Sequence, residues 1–116
     1  MKHMKTYKPF SIIVVPFPFT DSSATKKRPA LVLSEEQFQK NTEHVTLIMI
    51  TSAKHSTWYN DYKIKDLSST GLNAPSIIRQ KIFTLDSRVI LEKIGELSTK
   101  DKKDVLKIIS NHLHIC

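Results

Sequence analysis

At 116 residues, 40% hydrophobic and 25% charged, the chain reads as one globular domain spanning 1–116, with material for one modest core rather than two. Only 2 glycines and 5 prolines exclude a low-complexity or disordered chain, and its longest apolar run, Ile12 to Phe19, is broken by Pro16 and Pro18 and excludes a membrane span. A net charge of +7 points to a polyanionic or acidic partner.

The β-branched run Ile12 to Phe17 predicts a buried strand, with the two prolines marking its far end as an edge or bulge. A polar loop is expected from Thr20 to Lys27, then a strand over Ala30 to Ser34. Glu35 to Asn41 predicts one helical turn. VTLIMIT, Val45 to Thr51, is a third strand, followed by a loop from Ser52 to Asn60 that carries Lys54, His55 and Trp58. Asp61 to Ile64 is a short alternating strand, and Leu67 to Ala74 a connection containing Gly71. Ser76 to Phe83 predicts a strand with Arg79 and Lys81 opposite Ile78 and Ile82. Thr84-Leu85-Asp86 reads as a turn and Val89 to Ile94 as the last strand.

The C-terminal segment has helical spacing. Ser98 is a suitable N-cap, and Asp101 three residues on is a shortened relative of the capping-box acid. Val105, Ile108, Ile109 and His112 fall on one face, with Leu106 and Leu113 at its margins. Five or six short strands and one closing helix place the chain in the mainly β class, as a small, strongly bent sheet or barrel.

The chemistry concentrates at VVPFPFTDSSATKKRPALVLS, Val14 to Ser34. Three consecutive cations, Lys26, Lys27 and Arg28, precede a buried strand, and Pro29 holds Arg28 out of the helical region. A guanidinium fixed there can grip two phosphate oxygens and stays charged. Thr51 and Ser52 end the third strand with hydroxyls that can donate to phosphate. His55 is a general-base candidate by its ordinary pKa, though a solvated loop histidine is the commoner role. Arg79 and Lys81 can extend a phosphate path, and Trp58 and Tyr59 can stack on bases or lid a core. The sequence has no His-x-His, Cys-x-x-Cys, glycine-rich phosphate loop or nucleophile elbow, so no metal or cofactor is expected. The single cysteine, Cys116, cannot form an internal disulfide, and MKHMKTYK lacks an apolar signal core. Both fit a cytoplasmic protein.

VPFPFTD followed by KKRPALVLS resembles the opening of the MazF/PemK-like toxins, the mRNA interferases of toxin–antitoxin pairs. The resemblance continues, in order, through LIMITSA (Leu47 to Ala53), PSIIRQKIFTLD (Pro75 to Asp86) and IGELS (Ile94 to Ser98). It implies an SH3-like small β-barrel with a C-terminal helix, of the MazF/CcdB kind, and a homodimer. The activity it implies is metal-free endoribonuclease cleavage of single-stranded mRNA, leaving a 2′,3′-cyclic phosphate and a 5′-hydroxyl. An acidic, partly disordered antitoxin would neutralise it. In that family a threonine or serine at the end of the third strand works with the arginine of the Arg-Pro motif. Carried over, Arg28 and Thr51 are catalytic, with Ser52 the fallback for Thr51; Lys26, Lys27, Ser52, His55, Arg79 and Lys81 are the substrate-binding candidates by their own chemistry, since the family does not require a histidine at His55.

Two departures stand out. Phe10-Ser11 replaces the Gly-Asp that many members carry, and SIIRQKI lacks an acidic residue that some possess. Two further readings of the scaffold therefore stand beside the enzyme: a gyrase-poisoning toxin of the CcdB type and an RNA-binding barrel that does not cleave.

Overall fold

The alternating apolar positions assemble into one curled antiparallel sheet. The structure, a computed structural model, describes residues 5–17, 26–54 and 57–115. The strands are β1 Ser11–Phe17, β2 Lys26–Val32, β3 His44–Ser52, β4 Tyr62–Lys63, β5 Ser76–Asp86 and β6 Glu92–Glu96. Helix α1, Glu36–Thr42, joins β2 to β3, a single 3-10 turn, Ser87–Val89, follows β5, and α2, Thr99–His112, closes the chain. Strand order is β4-β5-β3-β2-β1-β6, a six-stranded half-barrel.

Three boundaries differ by three residues or more from the sequence expectation. β2 starts at Lys26, not Ala30, because the proline-containing end of β1 still pairs with it, Pro16 opposite Lys27 and Phe17 opposite Lys26. β6 pairs with β1 only as far as Val14, so Pro16 has a strand partner on one side only, an edge-like position that tolerates proline. Thr84-Leu85-Asp86 is strand rather than turn, since β3 pairs with β5 as far as His44–Asp86 and the Thr46 and Thr84 hydroxyls hydrogen-bond at 2.9 Å. The last strand is accordingly displaced to Glu92–Glu96.

Each strand feeds both faces. One face buries Ile12, Leu31, Ile48, Ile50 and Ile78 against Val105 and Ile109 of α2. The other buries Ile13, Val15, Ala30, Val32, Val45 and Leu47, with Tyr7 laid over them. Each such fully buried aliphatic side chain contributes about 1.5–3 kcal/mol. Gln39 of α1 fixes the segment that carries Tyr7. Its side-chain amide accepts from the Tyr7 N–H and donates to the Tyr7 carbonyl, both at 2.8 Å, copying the pairing of a strand. On α2, Val105 and Ile109 are buried as expected, but His112 is exposed because it lies in the last turn, past the sheet. Leu106 and Leu113 are half exposed and line a groove of about 530 Å³ with Phe10, Leu33, Phe38 and Ile82.

The curl of the sheet is fixed by the connection from β4 to β5, which crosses to the opposite edge strand, β6. Ser69 O accepts from the Glu96 N–H at 2.9 Å, and the Ser69 hydroxyl donates to Glu96 O at 2.8 Å. Both glycines of the chain lie at this crossing. Gly71 has φ +77°, and a Cβ there would sit 2.1 Å from Ile94 O. A Cβ on Gly95 would sit 2.3 Å from the Thr70 carbonyl carbon. No side chain fits at either position.

The near end of the same connection is held by Asp101, fully buried in the first turn of α2. Ser98 caps the helix by accepting from the Asp101 N–H. The acid itself does more than complete a capping box. Its carboxylate accepts from the Tyr62 hydroxyl, the Lys65 N–H at 3.2 Å, the Asp66 N–H at 3.0 Å and the Ser98 hydroxyl at 3.0 Å. Burial pushes its pKa up, but these donors, Tyr62 first, outweigh burial and hold it below the ordinary 3.8. Tyr62, buried and facing the Asp101 and Asp104 carboxylates, is pushed far above the usual phenol range.

A group whose pKa is lowered on folding stabilises above its unfolded value and loses that contribution as pH falls through the folded one. Asp101→Asn should therefore cost about 2–4 kcal/mol at neutral pH, through lost charged hydrogen bonds and amide groups left mispaired. The gap from wild type in urea unfolding should close as pH drops below about 3.8. An unchanged gap at acid pH would show that the charge of Asp101 is not what holds the connection.

Candidate nucleic-acid interface

The face that buries Val45 and Leu47 changes character along the strands. Stepping by two along β2, its residues run Val32, Ala30, Arg28, Lys26. On β3 they run Val45, Leu47, Met49, Thr51. β2 and β3 pair at Val32–Leu47, Leu31–Ile48 and Ala30–Met49. The pairing stops there, short of Arg28 and Thr51, which alternation puts on the same face, each two residues beyond the Ala30–Met49 pair. On its other side Arg28 pairs with Val15 of β1. Next to Thr51 lies Ile77 of β5, and beyond it Lys63 of β4. Val15 and Arg28 thus form one pair, and Thr51, Ile77 and Lys63 one row, at the same end of the sheet.

Arg28 and Thr51 are both partly exposed, and no side-chain hydrogen bond or ion pair among the described residues engages Lys26, Lys27 or Arg28. Lys26 lies on the Arg28 face. Lys27 alternates to the other, a division hidden when both were read as loop residues. Ser52, opposite Ser76, also faces away from Arg28, and its hydroxyl accepts from the Lys54 N–H at 3.2 Å. His55 lies outside the described residues.

Along β5 the register with β3 slips by two residues. Ile48 pairs with Ile82, but Met49 pairs with Arg79, leaving Gln80 and Lys81 extra. An even slip preserves the alternation, so Arg79 joins the Arg28 face while Ile78 and Ile82 stay with the α2 core. Arg79 is buried and committed: its Nε and Nη2 donate to the two Asp61 oxygens at 3.1 and 2.9 Å. Donating to the Asp61 carboxylate raises the Arg79 pKa further. Asp61 Oδ2 also accepts from the Trp58 N–H at 2.8 Å. The Arg79 guanidinium lies 5.6 Å from the centre of the Trp58 ring, and the exposed Lys81 Nζ 4.7 Å from it.

Of the expected site residues, the sheet brings Lys26, Arg28, Thr51, Arg79 and Lys81 toward one region and turns Lys27 and Ser52 to the opposite face. Asp61 and Lys63 were missed. Asp61 stands 18 positions from Arg79, and no local signal pairs them. Lys63 was readable only as one polar position of the alternating strand DYKI. Among the described residues no three His, Cys, Asp or Glu side chains come together as a metal-ligand set. No described helix is long and apolar enough to cross a membrane.

No curated protein sequence matches this chain. Solved structures do, across almost the whole fold. An endoribonuclease in complex with its cognate antitoxin, from a mycobacterial species, superposes with a TM-score of 0.75 at 13% identity over 97% of this chain and 98% of that one. The MazE–MazF complex of Deinococcus radiodurans gives 0.74 at 18% identity over 97% and 100%. The Mycobacterium tuberculosis toxin MazF-mt6 gives 0.72 at 21% identity over 91% and 98%. A family model described as the PemK-like, MazF-like toxin of type II toxin–antitoxin systems matches residues 8–113. With that match spanning nearly every element from the start of β1 to the end of α2, the chain belongs to the PemK-like, MazF-like toxins of type II toxin–antitoxin systems.

Proposed function

We propose that this toxin is an endoribonuclease that cuts single-stranded mRNA by the chemistry of the RNA itself. The observation that supports this is that Arg28, paired with no described acid, and Thr51 fall on one face by alternation at the cationic end of the sheet, each two residues past the last β2–β3 pair, Ala30–Met49. The ribose 2′-OH attacks the adjacent phosphorus, the 5′-oxygen leaves, and a 2′,3′-cyclic phosphate remains. The nucleophile comes with the substrate. The protein has to hold the strand and stabilise charge on the pentacoordinate phosphorus. Arg28 supplies a planar, permanently charged fork toward the non-bridging oxygens. The Thr51 hydroxyl donates to one of them or orients the 2′-OH. Asp61 does not supply the acid missing from SIIRQKI, since both its oxygens are taken by Arg79 and the Trp58 amide. The reading extends to a single toxin domain working in the cytoplasm as a homodimer. The same cationic end would be occupied by an acidic antitoxin segment, in keeping with the net charge of +7.

Pure protein with long single-stranded RNA in EDTA should yield fragments with 5′-hydroxyl and cyclic phosphate ends. Intact RNA, with gyrase inhibited instead, would favour the CcdB-type reading. Arg28→Ala should lose about 2–4 kcal/mol of transition-state stabilisation, read from the single-turnover cleavage rate. Arg28→Lys should recover part of it, charge without the fork. A folded Arg28→Ala protein cutting at the wild-type rate removes Arg28 from the mechanism.

Replacing Lys26 and Lys27 together by Ala should weaken binding to all single-stranded RNAs alike. The slope of log K against log salt should become shallower by roughly 0.7 per lost contact. Because Lys26 shares the Arg28 face, Lys26→Ala alone should produce the larger part. Unchanged affinity and slope would move the RNA path off β2.

Light scattering at micromolar concentration should report about twice the 13.3 kDa chain mass. A monomer with full cleavage activity would contradict the homodimer as the working form.

A further inference from the structure

We infer that Trp58, braced by the Asp61–Arg79 pair, is a stacking platform for one unpaired base of the bound strand, a specificity subsite beside the cleavage position. The inference rests on the ribonuclease reading above and assigns Arg79 a different task from phosphate contact. A guanidinium whose fork is filled by a carboxylate brings little net charge to a phosphate. It does brace its neighbours. Asp61 accepts from the Trp58 N–H, the Asp61 N–H donates to Trp58 O at 3.0 Å, and Asn60 takes the left-handed φ of +64° that closes this turn. The turn that carries Trp58 is therefore fixed by its backbone, and the indole ring centre lies 5.6 Å from the Arg79 guanidinium of β5.

A large apolar ring on a turn held this firmly normally ends up buried. Trp58 is 47% exposed and Tyr59, beside it, 85%. Packing thus leaves much of the ring uncovered, and a base stacking on a ring carried by a braced turn costs the complex little conformational freedom. Lys81, 4.7 Å from the ring centre and exposed, stands where the backbone of the same nucleotide can be neutralised. Position agrees. Arg79 is two strands over and two residues along from Arg28, which by ordinary sheet spacings is about 12 Å between Cα atoms. That suits a nucleotide close to the cleaved linkage on the same strand, and not the reacting one.

Trp58 is the only tryptophan of the chain, so its emission reports this one site. The probe is a 2′-O-methyl oligonucleotide carrying the sequence around a mapped cut, with an abasic nucleotide placed at each position in turn. Binding of the complete oligonucleotide should quench the emission. One abasic position should abolish the quenching and weaken wild-type binding about tenfold. Trp58→Ala should bind the complete oligonucleotide about tenfold less well and show no further loss at that position, while Trp58→Phe should keep most of the penalty. Equal abasic penalties in wild type and Trp58→Ala, or cleavage and binding with no change in emission, overturn the platform and leave the ribonuclease intact. Wild-type protein that neither cuts nor binds single-stranded RNA overturns both.

Discussion

Everything in this fold leans on a strap between the two edges of the sheet. An antiparallel sheet of six strands can stay open, exposing both edges to pairing with other chains. Here the connection after β4 reaches across to β6 and forces the curl. Two unlike devices hold it. At one end is a buried carboxylate collecting hydrogen bonds from backbone and phenol, and at the other a backbone crossing so close that two glycines are required. The first is electrostatic and the second steric. Both devices lie with the α2 core, beside Tyr62, Leu67, Leu72 and Ile94, and not on the face that carries Arg28 and Thr51.

The same strands serve core and site because alternation fixes which face a residue joins, but not what that face contacts along its length. Val32 and Ala30 are core; Arg28 and Lys26, in the same alternation, carry charge outward. Polarity changes within each strand rather than between strands. A rigid apolar ladder therefore aims the functional groups, and none of Arg28, Thr51 or Arg79 depends on a loop for its position.

Much of this was legible in advance. The strand cores Ile12 to Phe17 and Val45 to Thr51, the Ser98 cap and the buried Val105 and Ile109 follow from local pattern, and the family resemblance ordered them correctly. What was hidden is non-local. The lengthening of β2 down to Lys26 depends on a β1 partner across the hairpin, so Lys26 and Lys27 looked like loop and their opposite orientations could not be seen. Likewise the turn read at Thr84-Leu85-Asp86 is overridden by pairing with β3. Arg79 read as a phosphate ligand because Asp61 could not be placed beside it from sequence. Asp101 was recognised as a helix-terminal acid, while its larger role, gathering Tyr62 and the Lys65 and Asp66 amides, spans more than thirty positions.

The pairing of the sheet is uneven in a way that bears on how the toxin meets its partners. β1 loses β6 beyond Val14, β2 and β3 pair only between Val32–Leu47 and Ala30–Met49, and β5 slips against β3 at Gln80 and Lys81. The slip lies at mid-strand, between Ile48 and Met49, and the first two interruptions fall at the end that carries Arg28. Pro29 removes a donor there as well. The opposite end is continuously laddered through Val45, Leu47, Phe83 and Leu85. Compliance is thus graded along the strands, and amide exchange should rise from the Val45 end toward Arg28. A polynucleotide and an extended polypeptide differ in width and spacing of charge. A compliant rim on a stiff base lets one surface adjust to either by breaking a few local hydrogen bonds, while the core beneath stays shut.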